Sequence, residues 1–304
     1  MYLRVKSALA PTAATLQSRA ARCDHGVANS SRTRRPDPSG PSLPMDTSRL
    51  SVPTVALARD LRTALRRARD LGFQGVELDA RGSLDPEQLS QTGLRQIRKW
   101  LGDEGLVVSA VTFRTRGGYG DAERLEGRIA ATKSAMELAH GLGAHVVTNH
   151  IGDVPLESEG PQWQLLVDVL SDLGVWGQRV GAMLCAETGR AGPDDLLRVI
   201  AALPDGSLTG DLVTGSLVVH GHDPAAAAEK LSGHVAYVHA TDAVAGAFAG
   251  RGRAVVLGTG QVDCASVFGM LEERGYRGWI GLEPVEPHGD TTELADAMDF
   301  LRGL

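Results

Sequence analysis

The chain has 304 residues, a net charge of −6 and 42% hydrophobic residues. It can therefore bury a sizeable core, and it contains no run of about 18 apolar residues of the kind a transmembrane helix needs. Three cysteines, Cys23, Cys185 and Cys264, share no C-x-x-C or similar spacing, which argues against a disulfide scaffold or a cysteine metal site. An acidic composition without a basic stripe argues against phosphate-backbone binding, so nucleic acid and membrane are not expected partners. With no apolar core of a secretory signal, the cytoplasm is the default compartment.

The first 44 residues stand apart. The stretch SRAARCDHGVANSSRTRRPDPSGPSLP has no period of two or 3.6, and segment 1–44 holds seven Lys and Arg against two Asp. It reads as a disordered basic extension, either transit-like or the product of a start assigned too early, with Met45 the preferred true start. The folded domain is expected over 45–304.

From residue 50 short apolar runs alternate with amphipathic segments. The strand candidates in chain order are LSVPTVAL (50–57), GVELDA (75–80), LVVSAVTF (106–113), HVVTNHIG (145–152), AMLCAET (182–188), LTGDLV (208–213), VAYVHATD (235–242) and WIGLEP (279–284). Between them lie helical patterns such as DLRTALRRARDLG, TGLRQIRKWLGDEG and DAERLEGRIAATKSAMELAHGLG. In the last, Leu125, Ile129, Thr132, Met136 and Ala139 recur every three or four residues, as one helix face requires. Several segments stop at Gly, which suits a left-handed C-cap. Eight βα units in this length predict an α/β protein of the (β/α)8 TIM barrel type, with a single domain. An open doubly wound sheet is disfavoured because no G-x-G-x-x-G follows the first strand.

Chemistry in such a barrel gathers at the C-terminal strand ends. Strand five ends in Glu187, strand six in Asp211, strand seven in His239 and strand eight in Glu283. His239 ends an apolar run, where an ionisable group is costly unless paired or bound. Each residue alone has a structural explanation, as a helix cap or a hydrogen-bonded core residue. Three carboxylates and an imidazole converging on one mouth repel one another unless a cation neutralises them. One divalent ion, Mn, Mg, Co or Zn, suits this oxygen-rich set with one nitrogen.

The stretch LGTGQVDCASVFGMLEERGYRGWIGLEP (257–284) contains G-x-G-x-[IV]-D, a helix, G-Y-x-G and a strand ending in Glu; HVAYVHATDA carries H-x-T-D, and NHIG (149–152) forms a Gly turn. In these motifs the chain resembles the xylose-isomerase-like barrels, which include sugar phosphate isomerases, ketose 3-epimerases, inosose dehydratases and, remotely, endonuclease IV. The resemblance runs from about Leu50 to the C-terminus. It implies that Glu187, Asp211, His239 and Glu283 ligate the metal, and that Glu187 and Glu283 are also the catalytic pair that moves protons. The chain departs from the pattern in three places. No histidine stands three residues after Asp211; Thr241 replaces a lysine; and Gly252 and Ala254 stand where endonuclease IV has a D-x-H pair, which disfavours a trinuclear zinc site.

The expected activity is that of a metal-dependent sugar isomerase or epimerase on a keto sugar, cyclitol or related polyol, working by proton transfer through a metal-stabilised enediolate. A lyase or dehydratase on a similar substrate and a non-catalytic sugar-binding barrel are the alternatives. Around this centre Glu77, Arg114, His150 and Asp242 are candidates for substrate contact, with structural ion pairs an equal reading for Glu77 and Asp242. The Gly-rich segment from Ala243 to Val262 has the length of a lid carrying Arg251 and Arg253. Trp163 could stack on a sugar ring or pack a helix. His140, His145, His220 and His222 read as structural or exposed. The expected partners are a small sugar or polyol and a further copy of the chain.

Overall fold

A computed structural model of the protein describes residues 49–81, 84–286 and 291–304; the extension expected over 1–44, Met45 and Cys23 lie outside them. Eight parallel strands close into a barrel in the order β1-β10-β7-β6-β5-β4-β3-β2. They are β1 (Leu50–Pro53), β2 (Gly75–Asp79), β3 (Val107–Thr112), β4 (Val146–Asn149), β5 (Met183–Glu187), β6 (Thr209–Val213), β7 (Val235–Ala240) and β10 (Trp279–Leu282). The barrel is closed by the pairing of β1 with both β2 and β10. This is the (β/α)8 TIM barrel that the alternating pattern predicts.

The helices are α1 (Thr54–Leu57), α2 (Leu61–Leu71), α3 (Gln91–Glu104), α4 (Leu125–Gly141), α5 (Gly160–Val180), α6 (Pro193–Ala202), α7 (Thr214–Val219), α8 (Pro224–Leu231), α9 (Cys264–Glu273) and α10 (Thr292–Arg302). Their boundaries follow from local chemistry. Asp60, Ser90, Asp223 and Asp263 cap α2, α3, α8 and α9 by accepting backbone N–H bonds from the first turn, which satisfies donors that otherwise have no partner. Gly72 and Gly105 end α2 and α3 at φ 88° and 68°, a conformation that favours glycine. Among the described residues no helix is long and apolar enough to cross a membrane.

Two segments differ from expectation. The strand expected over 50–57 stops at Pro53, and Thr54–Leu57 forms one helical turn. Pro53 lacks the N–H that would extend the ladder, and the Thr54 hydroxyl donates to the Glu77 carbonyl at 3.0 Å, turning the chain over β2. The Gly-rich segment from Ala243 to Val262, read as a loop of lid length, carries an antiparallel hairpin of β8 (Asp242–Ala245) and β9 (Gly252–Val255).

Most apolar side chains pack between the strands and the helical ring, with Leu65, Met136, Leu170, Leu184 and Leu217 fully buried. Inside the barrel the filling is different. Ala110, Cys185 and Tyr237 form a small apolar cluster, and the buried Ser51, Ser109, Glu77, Asp211 and His239 add polar groups to this interior. Charges so deep require partners; the partners define the site.

Candidate active site

Glu187 and Asp211 are ladder neighbours across β5 and β6, and His239 lies beside Val213 of β6 and Gly281 of β10. Glu283 follows the last residue of β10. The four strand-end residues read from the sequence thus come from neighbouring positions around one mouth.

His239 has no exposed side-chain surface. Its Nδ1 lies 2.7 Å from Asp211 Oδ2 and its Nε2 lies 3.0 Å from Glu77 Oε2. Glu77 also accepts from the Tyr237 hydroxyl at 2.7 Å and the Thr112 hydroxyl at 3.1 Å. The Tyr237 oxygen is shared with Ser51 at 2.6 Å and Ser109 at 3.2 Å. Burial opposes a charge on His239, but the carboxylates of Asp211 and Glu77 overcome it and raise its pKa well above the usual value. Burial pushes Asp211 up to about 6 against the opposing pull of His239. The ring bridges the two buried carboxylates, and their charge favours its protonated form.

Arg114 spans the other two carboxylates. It follows β3, and its guanidinium reaches across the mouth to place Nε 3.0 Å from Glu187 Oε1 and Nη2 3.5 Å from Glu283 Oε1. Its side chain is 50% exposed, against 16% for Glu187 and 30% for Glu283. Partial burial disfavours the guanidinium charge, and the two glutamates more than restore it, so its pKa is raised. Three side chains from widely separated strands meet here above the buried layer.

Two observations bear on a divalent cation. Asp211 Oδ1 is buried with no hydrogen-bond partner, which is a costly state for a carboxylate oxygen and one that a cation relieves. In addition, Glu77 engages His239 Nε2, the arrangement by which a carboxylate orients a metal-binding histidine and leaves the other nitrogen for the ion. As the side chains stand, no three His, Cys, Asp or Glu among the described residues are gathered closely enough to hold a metal; Glu187 and Glu283 are turned onto Arg114 instead. The donor set fits a divalent ion in its chemistry.

The remaining residues singled out in the sequence have other surroundings. His150 Nε2 donates to the Thr115 carbonyl at 2.5 Å, and the ring lines a cleft with Arg116, Gly118, Gly152 and Asp153. Asp242 is 2% exposed, and both oxygens are taken by backbone donors: Ala243 and Val262 on Oδ1, Gly258 and Gly260 on Oδ2. These bonds anchor the hairpin segment. Arg251 and Arg253 are exposed on that hairpin, and Arg253 lines a surface groove with Ala254, Thr259, Glu293 and Asp296. Trp163 is 7% exposed with the Arg198 guanidinium 5.1 Å over its ring, a helix-packing role. His145 Nδ1 meets the Gly181 carbonyl at 3.0 Å at the opposite end of the barrel.

Sequence reasoning missed Tyr237 and Gly281. Tyr237 lies two residues before His239, so strand alternation puts both on the interior face, and their rings are 5.0 Å apart. Gly281 sits where a Cβ would be 2.4 Å from Glu77 Oε1; only the absence of a side chain lets Glu77 reach His239.

Comparison with known proteins agrees with the fold. A xylose isomerase domain protein from Planctomyces limnophilus superposes with a TM-score of 0.74 at 26% identity, covering 84% of this chain and 96% of that one. A xylose isomerase-like TIM barrel protein from Mycobacterium smegmatis, in complex with magnesium, gives 0.67 at 19% identity over 84% and 96%. The 3-keto-D-glucoside 4-epimerase of E. coli gives 0.66 at 17% identity over 84% and 99%. No curated protein matches the chain by sequence. The family model for xylose isomerase-like TIM barrels matches residues 65–304, and the chain belongs to that family.

Proposed function

We propose that the protein is a divalent-metal-dependent sugar isomerase or epimerase acting on a keto sugar, cyclitol or related polyol. The observation that carries this reading is the meeting of Glu187 and Glu283, from β5 and the end of β10, on one cationic group above the buried Glu77–His239–Asp211 cluster. Two carboxylates facing one ligand from different sides can remove a proton and return one. The epimerase named among the structural relatives supports the same reaction class.

Glu187, Asp211, His239 and Glu283 would hold the metal, which when bound supplies Lewis-acid polarisation of a neighbouring carbonyl and hydroxyl. Glu77 fixes the His239 ring through Nε2, and Tyr237 fixes Glu77. Glu187 takes the proton from the carbon beside the carbonyl, or Glu283 does, according to the configuration of that carbon. Delivery from the opposite carboxylate inverts it. Arg114, half exposed at the mouth, would bind substrate oxygens.

The test is solvent hydrogen exchange. Ketohexoses, 3-keto glycosides and inososes are incubated in D2O with the manganese-treated protein, and deuterium at carbon is followed by NMR. Exchange at a carbon next to the ketone, lost in Glu187→Gln and in Glu283→Gln, is the expected result. Metal binding with sugar binding but no exchange in wild type would instead favour a barrel that only binds.

A further inference from the structure

The carboxylates that would serve a metal are already in use. Glu187 and Glu283 come from strands separated by β6 and β7 in the barrel order, and a single guanidinium engages both. The rest of the donor set, Asp211 and His239, is paired by a hydrogen bond of 2.7 Å. The two halves of the set are therefore compensated by separate devices, the glutamates only in part, and only the Arg114 half is open to solvent.

We propose that Arg114 is a resident counter-ion that competes with the divalent cation for Glu187 and Glu283, so that metal entry displaces the guanidinium and leaves it as the cationic group presented to substrate. This rests on the metal-dependent reading above. The physical argument is one of charge. With Arg114 in place, the two glutamates are neutralised in part, and an arriving dication must break both contacts and tolerate a like charge beside it. Without Arg114, two partly buried carboxylates repel each other and the dication meets them unopposed. Arg114 therefore lowers metal affinity and is a positioning residue for these carboxylates in the metal-free protein. In the metal-loaded protein the same guanidinium, freed of both partners, favours substrates with an anionic or strongly polarised oxygen near the reacting carbonyl.

The experiment is calorimetric titration of Mn2+ into the chelator-treated full-length protein, for wild type, Arg114→Gln and Arg114→Lys, with circular dichroism to show that each is folded. Arg114 is half exposed, so its replacement leaves the core intact. Arg114→Gln is expected to bind Mn2+ about tenfold more tightly than wild type, within the usual range of coupling between sites. Arg114→Lys, which keeps the charge, is expected to stay close to wild type. Binding in Arg114→Gln with none in wild type would also support the proposal. Wild-type binding with Arg114→Gln equal or weaker would overturn the competition and leave the metal reading standing. Absence of Mn2+ binding in all three proteins would overturn both.

Discussion

Replacing Gly281 by Ala tests whether the buried layer is as tightly specified as its geometry implies. A Cβ at this position would lie 2.4 Å from Glu77 Oε1, 2.8 Å from the Tyr237 hydroxyl oxygen and 3.1 Å from a Tyr237 ring carbon. Neither neighbour can withdraw. Tyr237 is fully buried and tied to Ser51 and Ser109, and Glu77 is held by Tyr237, Thr112 and His239. Overpacking a close-packed interior costs about 1–3 kcal/mol, and breaking the hydrogen bond from Tyr237 to a charged carboxylate adds about 1.5–3 kcal/mol. The expected loss is thus about 4 kcal/mol. Urea unfolding of Gly281→Ala beside wild type, in chelator and with unchanged denaturant slope, reads it directly. Because Glu77 orients His239, Mn2+ affinity should also fall by about 10- to 100-fold. A stability change below about 1 kcal/mol would refute the reasoning, since it would mean that Glu77 and Tyr237 can move apart freely.

Two further outcomes are expected. Asp242→Ala leaves the backbone donors of Ala243, Gly258, Gly260 and Val262 without their acceptor; amide exchange in 242–262 should accelerate and stability should drop by about 3 kcal/mol, whereas unchanged protection of that segment would show that the anchor is dispensable. Cys185 and Cys264 should resist alkylation in the native protein at pH 8, because burial raises the Cys185 thiol well above its usual value and pushes Cys264 up to about 12, keeping both protonated and so weak nucleophiles; peptide mapping after brief iodoacetamide treatment checks this, and native labelling of either at the rate of a free thiol would contradict it.

The barrel was legible in the sequence because its signals are local. Strand alternation, helix periodicity, Asp and Ser caps and Gly stops each depend on a few neighbouring residues, and their repetition eight times leaves few other folds. The strand-end carboxylates and His239 were visible for the same reason: in a parallel barrel the C-terminal end of every strand faces one rim, so position along a strand is enough to assign a residue to the mouth. Position along a strand does not say which side chains then meet. Arg114 reaches Glu187 and Glu283 only because closure sets β3, β5 and β10 around a common axis, a relation with no trace in sequence spacing. Asp242, two residues beyond β7, looked like a mouth residue, yet its oxygens are claimed by donors sixteen to twenty residues later in the chain. Gly281 carried no chemical signal of its own; its meaning lies in the Glu77 and Tyr237 atoms that fill the space its missing side chain leaves. Local chemistry determined the elements and their ends, and tertiary closure decided which charges are partners, because electrostatic pairing depends on distances through space that only the closed barrel sets.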